Sequence, residues 1–587
     1  MADADKTKAV SEAPPATATA SVISSISQAR LHTIIAGLWF CLFISALDTT
    51  IVTTALIKIS SGFNALEQAT WLVTAYLLTY NSFLMITAKL SDVWGLKILM
   101  LTSAIIFLIF SMACGSAQTM VQLIVFRAFQ GIGGSGLYSL TFVTIMKLVS
   151  PDKIGFYSGI ISSVFAMANL LGPLFGGIIS DRTTWRWIFF INGPIVAIAI
   201  VLLFFSMPTL KDGKSNSERV RSLDSVGGLL SIGWPIPLIF ALQEAGGAHA
   251  WSSGVIIGTL VTGIVLLIVF VLYETWVTYR TKTDPIFPVN FIRNPPMALS
   301  LLSMFLLGMP FYVVFVQLPQ RFQTVNFTSA ERAGILLLPA TLVSPVGAMM
   351  AGLAAKRIPI EFVLIFSIAV ISIGIGLLGS LPTYPHLWPG LYGYEIITGL
   401  GLGLASPCYY MLISTSVMEK EVSVATGALN MMRTLGGAVA VAICSAIHRG
   451  YLNDKLSGFL TPDQMAAVQT SSGSIAQLGG EMKQQIGTVF GGSYNRQFLI
   501  MLVFTNLNFI VAIILAVVRK KVGLFGAIPE RKEENEFMKA AEKKGQDEEA
   551  KAVQPEAVNV VETSTANSEL DPDTISAVRA GEEKKIG

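Results

Sequence analysis

The chain has 587 residues, of which 53% are hydrophobic and only 13% charged, with a mean hydropathy of +0.64. A soluble chain carries about 25% charged residues, so this one lacks the polar surface to dissolve and reads as membrane-embedded. A formal net charge of +3, without any basic aromatic cluster, excludes nucleic acid as a partner.

Residues 1–31 are rich in Ala, Ser, Thr and Pro and have little to bury, so a disordered tail is expected there. They are too polar for a cleaved signal, which leaves the first span as an anchor. From there, apolar length and turn residues predict about fourteen spans across a bilayer about 30 Å thick. Their limits are 33–57, 69–88, 97–115, 121–146, 155–179 and 186–206, then 225–243 and 252–275, then 297–318, 331–354, 360–380, 389–413, 424–447 and 496–518. The implied class is an all-α polytopic membrane protein: two six-helix bundles, 32–206 and 297–518, around an inserted region 207–296 that carries two extra spans and two loops. A polar external loop is expected at 448–495, and a second disordered tail at 519–587.

Basic residues set the orientation. The loops on the side of the N-terminal tail hold roughly twice the Lys and Arg of the opposite loops, which predicts both termini in the cytoplasm. Lys211, Lys214, Arg219 and Arg221 in the mid-chain loop contribute, as do Arg519, Lys520 and Lys521 after the last span. The sequon Asn326-Phe-Thr328 then falls outside, as a glycosylation acceptor requires.

Motifs of enzyme chemistry are missing. Gly131-x-Gly133-x-x-Gly136 and Gly374-x-Gly376-x-x-Gly379 fit a dinucleotide fingerprint, but both lie inside apolar spans, where close helix packing explains them. Cys41, Cys114, Cys408 and Cys444 lack metal-ligand spacing and read as small buried hydrophobes. No metal, cofactor or enzymatic activity is expected.

What does carry chemistry is charge inside hydrocarbon. Arg127 precedes Gln130, Gly131 and Gly134 at helical spacing, and an arginine in a bilayer costs about 2.5–3.5 kcal/mol on insertion scales, so it faces a cavity or a partner. Asp48 in the first span lies at a similar depth and can pair with it; opening of that pair would let Asp48 take up a proton. The alternative is a static pair, or an arginine that snorkels outward. Gln130, Arg433 and Glu395 are candidate cavity residues. Gly172, Pro173 and Gly176 in the fifth span suit a kinked, close-packed hinge. Asp92, Gly95 and Lys97, in Lys89-Leu-Ser-Asp92-Val-Trp-Gly95-Leu-Lys97, form a tight charged turn able to latch helix ends, with Asp92 near a helix N-terminus.

Read together, these stretches resemble the major facilitator superfamily, and within it the fourteen-span drug:proton antiporters of fungi. Leu47-Asp48-x-Thr50-Ile-Val-x-x-Ala55-Leu resembles the family's first-span motif, with Thr53 and Ile57 in place of its Asn and Pro. The Lys89–Lys97 turn resembles its loop motif, with Ala88 for the leading Gly and Leu96 for an Arg. Arg127-x-x-Gln130-Gly131-x-Gly133 and Gly172-Pro173-x-x-Gly176-Gly177 resemble the fourth-span and antiporter motifs, Ala168 replacing one Gly of the latter. Trp185-Arg186-Trp187-Ile-Phe-x-Ile191-Asn192-x-Pro194, Asp224-x-x-Gly227 and Gln243-x-x-Gly246-Gly247 are also similar to the family. The resemblance implies alternating access, proton coupling through Arg127, and efflux of small organic compounds such as toxins, secondary metabolites or drugs. It implies a monomer in the cell membrane, driven by the proton gradient with no cofactor. Related carriers offer two alternatives: siderophore-iron uptake, or basic amino-acid transport at the vacuolar membrane.

Overall fold

The structure, a computed structural model, describes residues 27–65, 71–149, 153–209, 224–245, 249–384 (except 282 and 284), 386–418, 421–461 (except 459) and 480–525. The two terminal tails and the basic loop expected at 211–224 fall outside these, apart from short flanks. Long apolar runs can satisfy their own backbone only as helices in a bilayer, and the described residues form eighteen of them.

The first half contains α1 (Gln28–Gly62), α2 (Trp71–Trp94), α3 (Leu96–Ser116), α4 (Met120–Leu148), α5 (Ile154–Arg182), the short α6 (Trp187–Phe190) and α7 (Asn192–Ser206). The inserted region contains α8 (Ser225–Gly233), α9 (Pro235–Glu244), α10 (Gly254–Arg280) and the short α11 (Asn290–Arg293). The second half contains α12 (Pro295–Thr324), α13 (Ala330–Leu336), α14 (Leu338–Ala354), α15 (Ile360–Gly379), α16 (Leu391–Ser416), α17 (Val422–Leu456) and α18 (Gly480–Lys521). Two expected spans are split where a proline removes an N–H: Pro235 opens α9, and Pro339 lies in the first turn of α14. Side-chain caps start several helices, among them Thr119 accepting from the Gln122 amide and Ser253 from that of Ile256.

Twelve helical segments among the described residues are long and apolar enough to cross a membrane. The expected fourteen include two more, α4 and α5. Each has 29 residues, ample length for a crossing. By contrast, α10 shows Ile257, Val261, Ile264, Val265, Ile268 and Leu272 outward, as a helix against lipid does.

The halves repeat one pairing scheme. In the first, α1 packs on α5 and α7, α2 on α4, and α3 on α4 and α7; in the second, α12 packs on α17 and α18, α14 on α16, and α15 on α16 and α18. The seam is symmetric too: α5 lies on α14, and α2 on α17. The inserted helices α8 and α9 pack on α2, and α9 reaches α17, so they flank one edge of that seam.

The expected external loop at 448–495 is corrected. Helix α17 continues to Leu456 and α18 begins at Gly480. The two hold each other by polar contacts: His448 Nδ1 lies 2.8 Å from Ser493 Oγ, and the Arg496 guanidinium stacks over Tyr451. Loss of apolar character marks where these helices leave hydrocarbon, not where they end. Residues 462–479 lie outside the described set.

One close approach in the inserted region is demanding. Asp224 caps α8 through the Gly227 amide at 2.8 Å and accepts the Tyr273 hydroxyl at 2.9 Å. A Cβ on Gly227 would lie 2.4 Å from Asp224 Oδ2 and 2.5 Å from Glu274 Oε1. Gly227→Ala is therefore expected to lower stability by about 1–3 kcal/mol in thermal unfolding of the purified protein. Gly258→Ala, on the open face of α10 with nothing within 4 Å, is the neutral control.

Candidate functional site

The site begins with a carboxylate that hydrocarbon cannot hydrate. Asp48, on α1, is fully buried, as are Arg127 and Gln130 one helical turn apart on α4. Asp48 Oδ2 is ion-paired with Arg127 Nη1. Its Oδ1 accepts from Gln130 Nε2 at 3.0 Å and from Asn192 Nδ2, on α7, at 3.1 Å. Arg127 also donates through Nη1 to Gln130 Oε1 at 2.9 Å and through Nε to the Leu72 carbonyl at 3.1 Å. Its guanidinium lies 4.3 Å from the centre of the Tyr76 ring, a cation–π contact. Asn192 is itself held by Ser111 Oγ at 2.8 Å. One network thus ties α1, α2, α3, α4 and α7.

Three donors occupy both oxygens of the Asp48 carboxylate. Parting α1 from α4 here would leave the Arg127 guanidinium without a counter-charge. Ion pairing and helix position are tied together by that electrostatic cost.

Backbone proximity makes the geometry possible. A Cβ on Gly131 would meet the Tyr76 carbonyl at 2.5 Å, and one on Gly133 the Phe107 amide nitrogen at 2.5 Å, so α4 rests directly on α2 and α3. On α5, a Cβ at Gly172 would lie 2.1 Å from Thr50 Oγ1, two residues along α1 from Asp48. Gly176 is buried as well, whereas the Pro173 side chain lies outside the described residues.

A second cluster lies at the end of the bundle where α1 starts, here called proximal. Asp92 Oδ1, at the end of α2, accepts from Lys147 Nζ of α4 at 2.7 Å and from Ser423 Oγ at 2.6 Å. Ser423 is in the first turn of α17, so this contact joins the halves at a helix N-terminus, where the macrodipole favours a carboxylate. Gly95, at φ 89°, turns the chain between α2 and α3 in a conformation that a residue with a Cβ resists. Lys97 does not join Asp92; its ammonium lies over the Phe204 ring of α7.

The remaining candidates separate. Arg433, on α17, is buried and borders a small cavity between the halves. Gln130 belongs to the Asp48 network and is not among the residues that line this cavity. Glu395 is fully buried on α16, eleven residues before Ser406 of the cavity wall, and neither carboxyl oxygen has a partner among the described residues. Asn326 is half-buried in the turn between α12 and α13.

Several contributors carry little signal in the sequence. Asn192 appeared only within a motif, and nothing marked Ser111 or Lys147. Arg519 reads as a loop charge beside Lys520 and Lys521, but it is fully buried, pairing with Glu361 at 2.7 Å and donating to Ser416 and Thr415.

Residues 38–441 match the model of the Major Facilitator Superfamily. The chain belongs to this superfamily. Among similar proteins, the MFS-type transporter FPY5 of Fusarium mangiferae is 39% identical over 503 residues, 84% of each chain. The rubrofusarin-specific efflux pump aurT of Gibberella zeae is 31% identical, over 73% of this chain and 79% of that one. The efflux pump aunC of Aspergillus niger is 29% identical, over 83% and 92%. In fold, the chain is similar to a bacterial homologue of the lysosomal transporter Spinster (TM-score 0.53, 16% identity, 84% of this chain and 98% of that one). This superfamily member is a multi-pass membrane protein and a transporter of small molecules, not an enzyme.

Two measurements follow. Asp48→Asn strands a buried cation and is expected to cost about 3–5 kcal/mol in thermal unfolding, much of it restored by Asp48→Asn with Arg127→Gln. Asp92→Ala is expected to loosen the proximal seam: a cysteine at Ala88, buried there beside Gly427, should react faster with a maleimide, against four native cysteines that are all buried.

Proposed function

We propose that this transporter is a fourteen-span drug:proton antiporter that expels small organic compounds, such as a toxin, secondary metabolite or drug, in exchange for protons. The single observation that carries the proton coupling is the saturated Asp48–Arg127–Gln130–Asn192 network, fully buried in the first half. Proton entry neutralises Asp48 and releases Arg127, and the helices that the network ties then rearrange. The link from Asp92 to Lys147 and Ser423 is the latch of the proximal end, and the tight α1–α5 contact at Gly172 seals the path against leak. Relatives named as efflux pumps support the export direction.

In this reading α4 and α5 complete fourteen crossings, grouped as 32–206, 207–296 and 297–518. Both termini are cytoplasmic, Asn326 faces outward, the protein works as a monomer in the cell membrane, and the proton gradient replaces any cofactor. Arg433 lines the substrate path.

The test measures intracellular accumulation of candidate compounds in cells lacking or overproducing the protein, with and without a proton ionophore. Overproduction should lower accumulation, the ionophore should abolish the effect, and so should Asp48→Asn. Arg127→Lys should lose at least about tenfold, because an ammonium cannot span the contacts to Asp48, Gln130 and the Leu72 carbonyl together. Undiminished gradient-driven export by Asp48→Asn would sink the coupling role.

A further inference from the structure

Four arginines are buried among the described residues; two pair with carboxylates and a third is held by three neutral oxygens. Arg127 and Arg519 pair with carboxylates, and Arg321 donates to Asn495 Oδ1 and to the Pro382 and Gly491 carbonyls. Arg433 is the exception. Among the described residues its one hydrogen bond reaches Ser406 Oγ at 3.4 Å, its buried Nε has no partner, and no carboxylate pairs with it. What it has are π faces: Phe311 at 5.0 Å and Tyr138 at 5.5 Å, the latter from the opposite half. Such faces return about 0.5–2 kcal/mol each, less than the several kcal/mol that desolvating the ion costs.

The stranded charge lines a cavity. Arg433 shares its wall with Phe142 of the first half and with Phe311, Phe315, Thr341, Ser344 and Ser406 of the second. In this conformation the cavity holds about 20 Å³, space for about one water. The halves meet beside it, where Phe142 stacks on Tyr410 at 5.1 Å, and again at the proximal end, where Ser423 holds Asp92. A cavity walled by both halves widens when they part, and then presents aromatic rings, three hydroxyls and one unanswered guanidinium. That donor set matches a planar ring bearing a negative charge: rings to stack on, a fork for the carboxylate or phenolate oxygens, hydroxyls around them.

We propose that Arg433 is the anion-binding residue of the substrate site and that the preferred cargo is an aromatic organic anion. The proposal rests on the reading of the inter-half cavity as the substrate path. The ligand supplies the counter-charge that the fold withholds, so Arg433 favours binding of an ionised substrate over its neutral analogue.

The test separates charge from shape. The full-length protein in nanodiscs, without any gradient, is titrated with radiolabelled 2-naphthoate by scintillation proximity, and unlabelled 2-naphthoate and 2-naphthamide compete. The two are close in size, and only the first is charged at neutral pH. Wild type should favour the naphthoate by about tenfold or more, Arg433→Gln should lose that preference, and Arg433→Lys should keep part of it. The wild-type comparison decides without relying on any variant's folding. Failure of naphthoate to bind, equal competition by the amide in wild type, or a preference that survives Arg433→Gln overturns the proposal. Binding is read without a gradient. Loss of proton-driven export with the preference intact would therefore strike the antiport reading alone, whereas export of neutral or cationic compounds without naphthoate binding would strike only this one.

Discussion

A charge placed in hydrocarbon must be answered within a few ångströms, and the architecture of this transporter follows from how it does so. At Asp48 the answer is complete: one guanidinium and two amides, from Arg127, Gln130 and Asn192, occupy both oxygens. Because these donors come from different helices, the network fixes the relative depth of α1, α4 and α7. It is also costly to open. Removing one partner from a buried pair costs about 3–5 kcal/mol, comparable to the free energy that a conformational switch must command.

Around this network the chain is built twice. The helix pairings of α1–α7 recur in α12–α18, and the seam uses the same pair of contacts in both senses, α5 on α14 and α2 on α17. Duplication does not extend to the charges. The first half neutralises its arginine, the second leaves Arg433 among aromatic rings at the seam and buries a separate ion pair, Arg519 with Glu361, between α15 and α18. Equivalent scaffolds thus hold unlike electrostatics, one closed on itself and one open to whatever enters the cavity. The inserted helices add little to either; they flank the seam and offer α10 to lipid.

Much of this was legible in the residues. Apolar runs located the spans, because backbone in hydrocarbon has no alternative to helix. Depth along those spans brought Asp48 opposite Arg127, because rise per residue converts sequence position into height. The same arithmetic failed where helices leave the bilayer: around Arg449 to Asn453 and Gln484 to Asn495 the composition is that of a loop, yet tertiary contacts such as His448 with Ser493 sustain the helices. Arg519 misled in the same way, since adjacency to a basic run suggested solvent and packing put it against Glu361.

Height, then, is a property of the chain, but azimuth is not. In helices apolar on every side, no periodicity tells which face meets protein, so the residue types and depths of Asp48, Arg127, Asp92 and Arg433 could be read directly, together with the superfamily that their motifs resemble. That Asn192 and Ser111 brace the carboxylate, that Lys147 and Ser423 share Asp92, and that Arg433 meets aromatic rings but no carboxylate among the described residues depended on rotations set by side-chain packing between helices distant in sequence. Those rotations are decided by close contacts such as α4 resting on the α2 backbone at Gly131, which no single helix encodes.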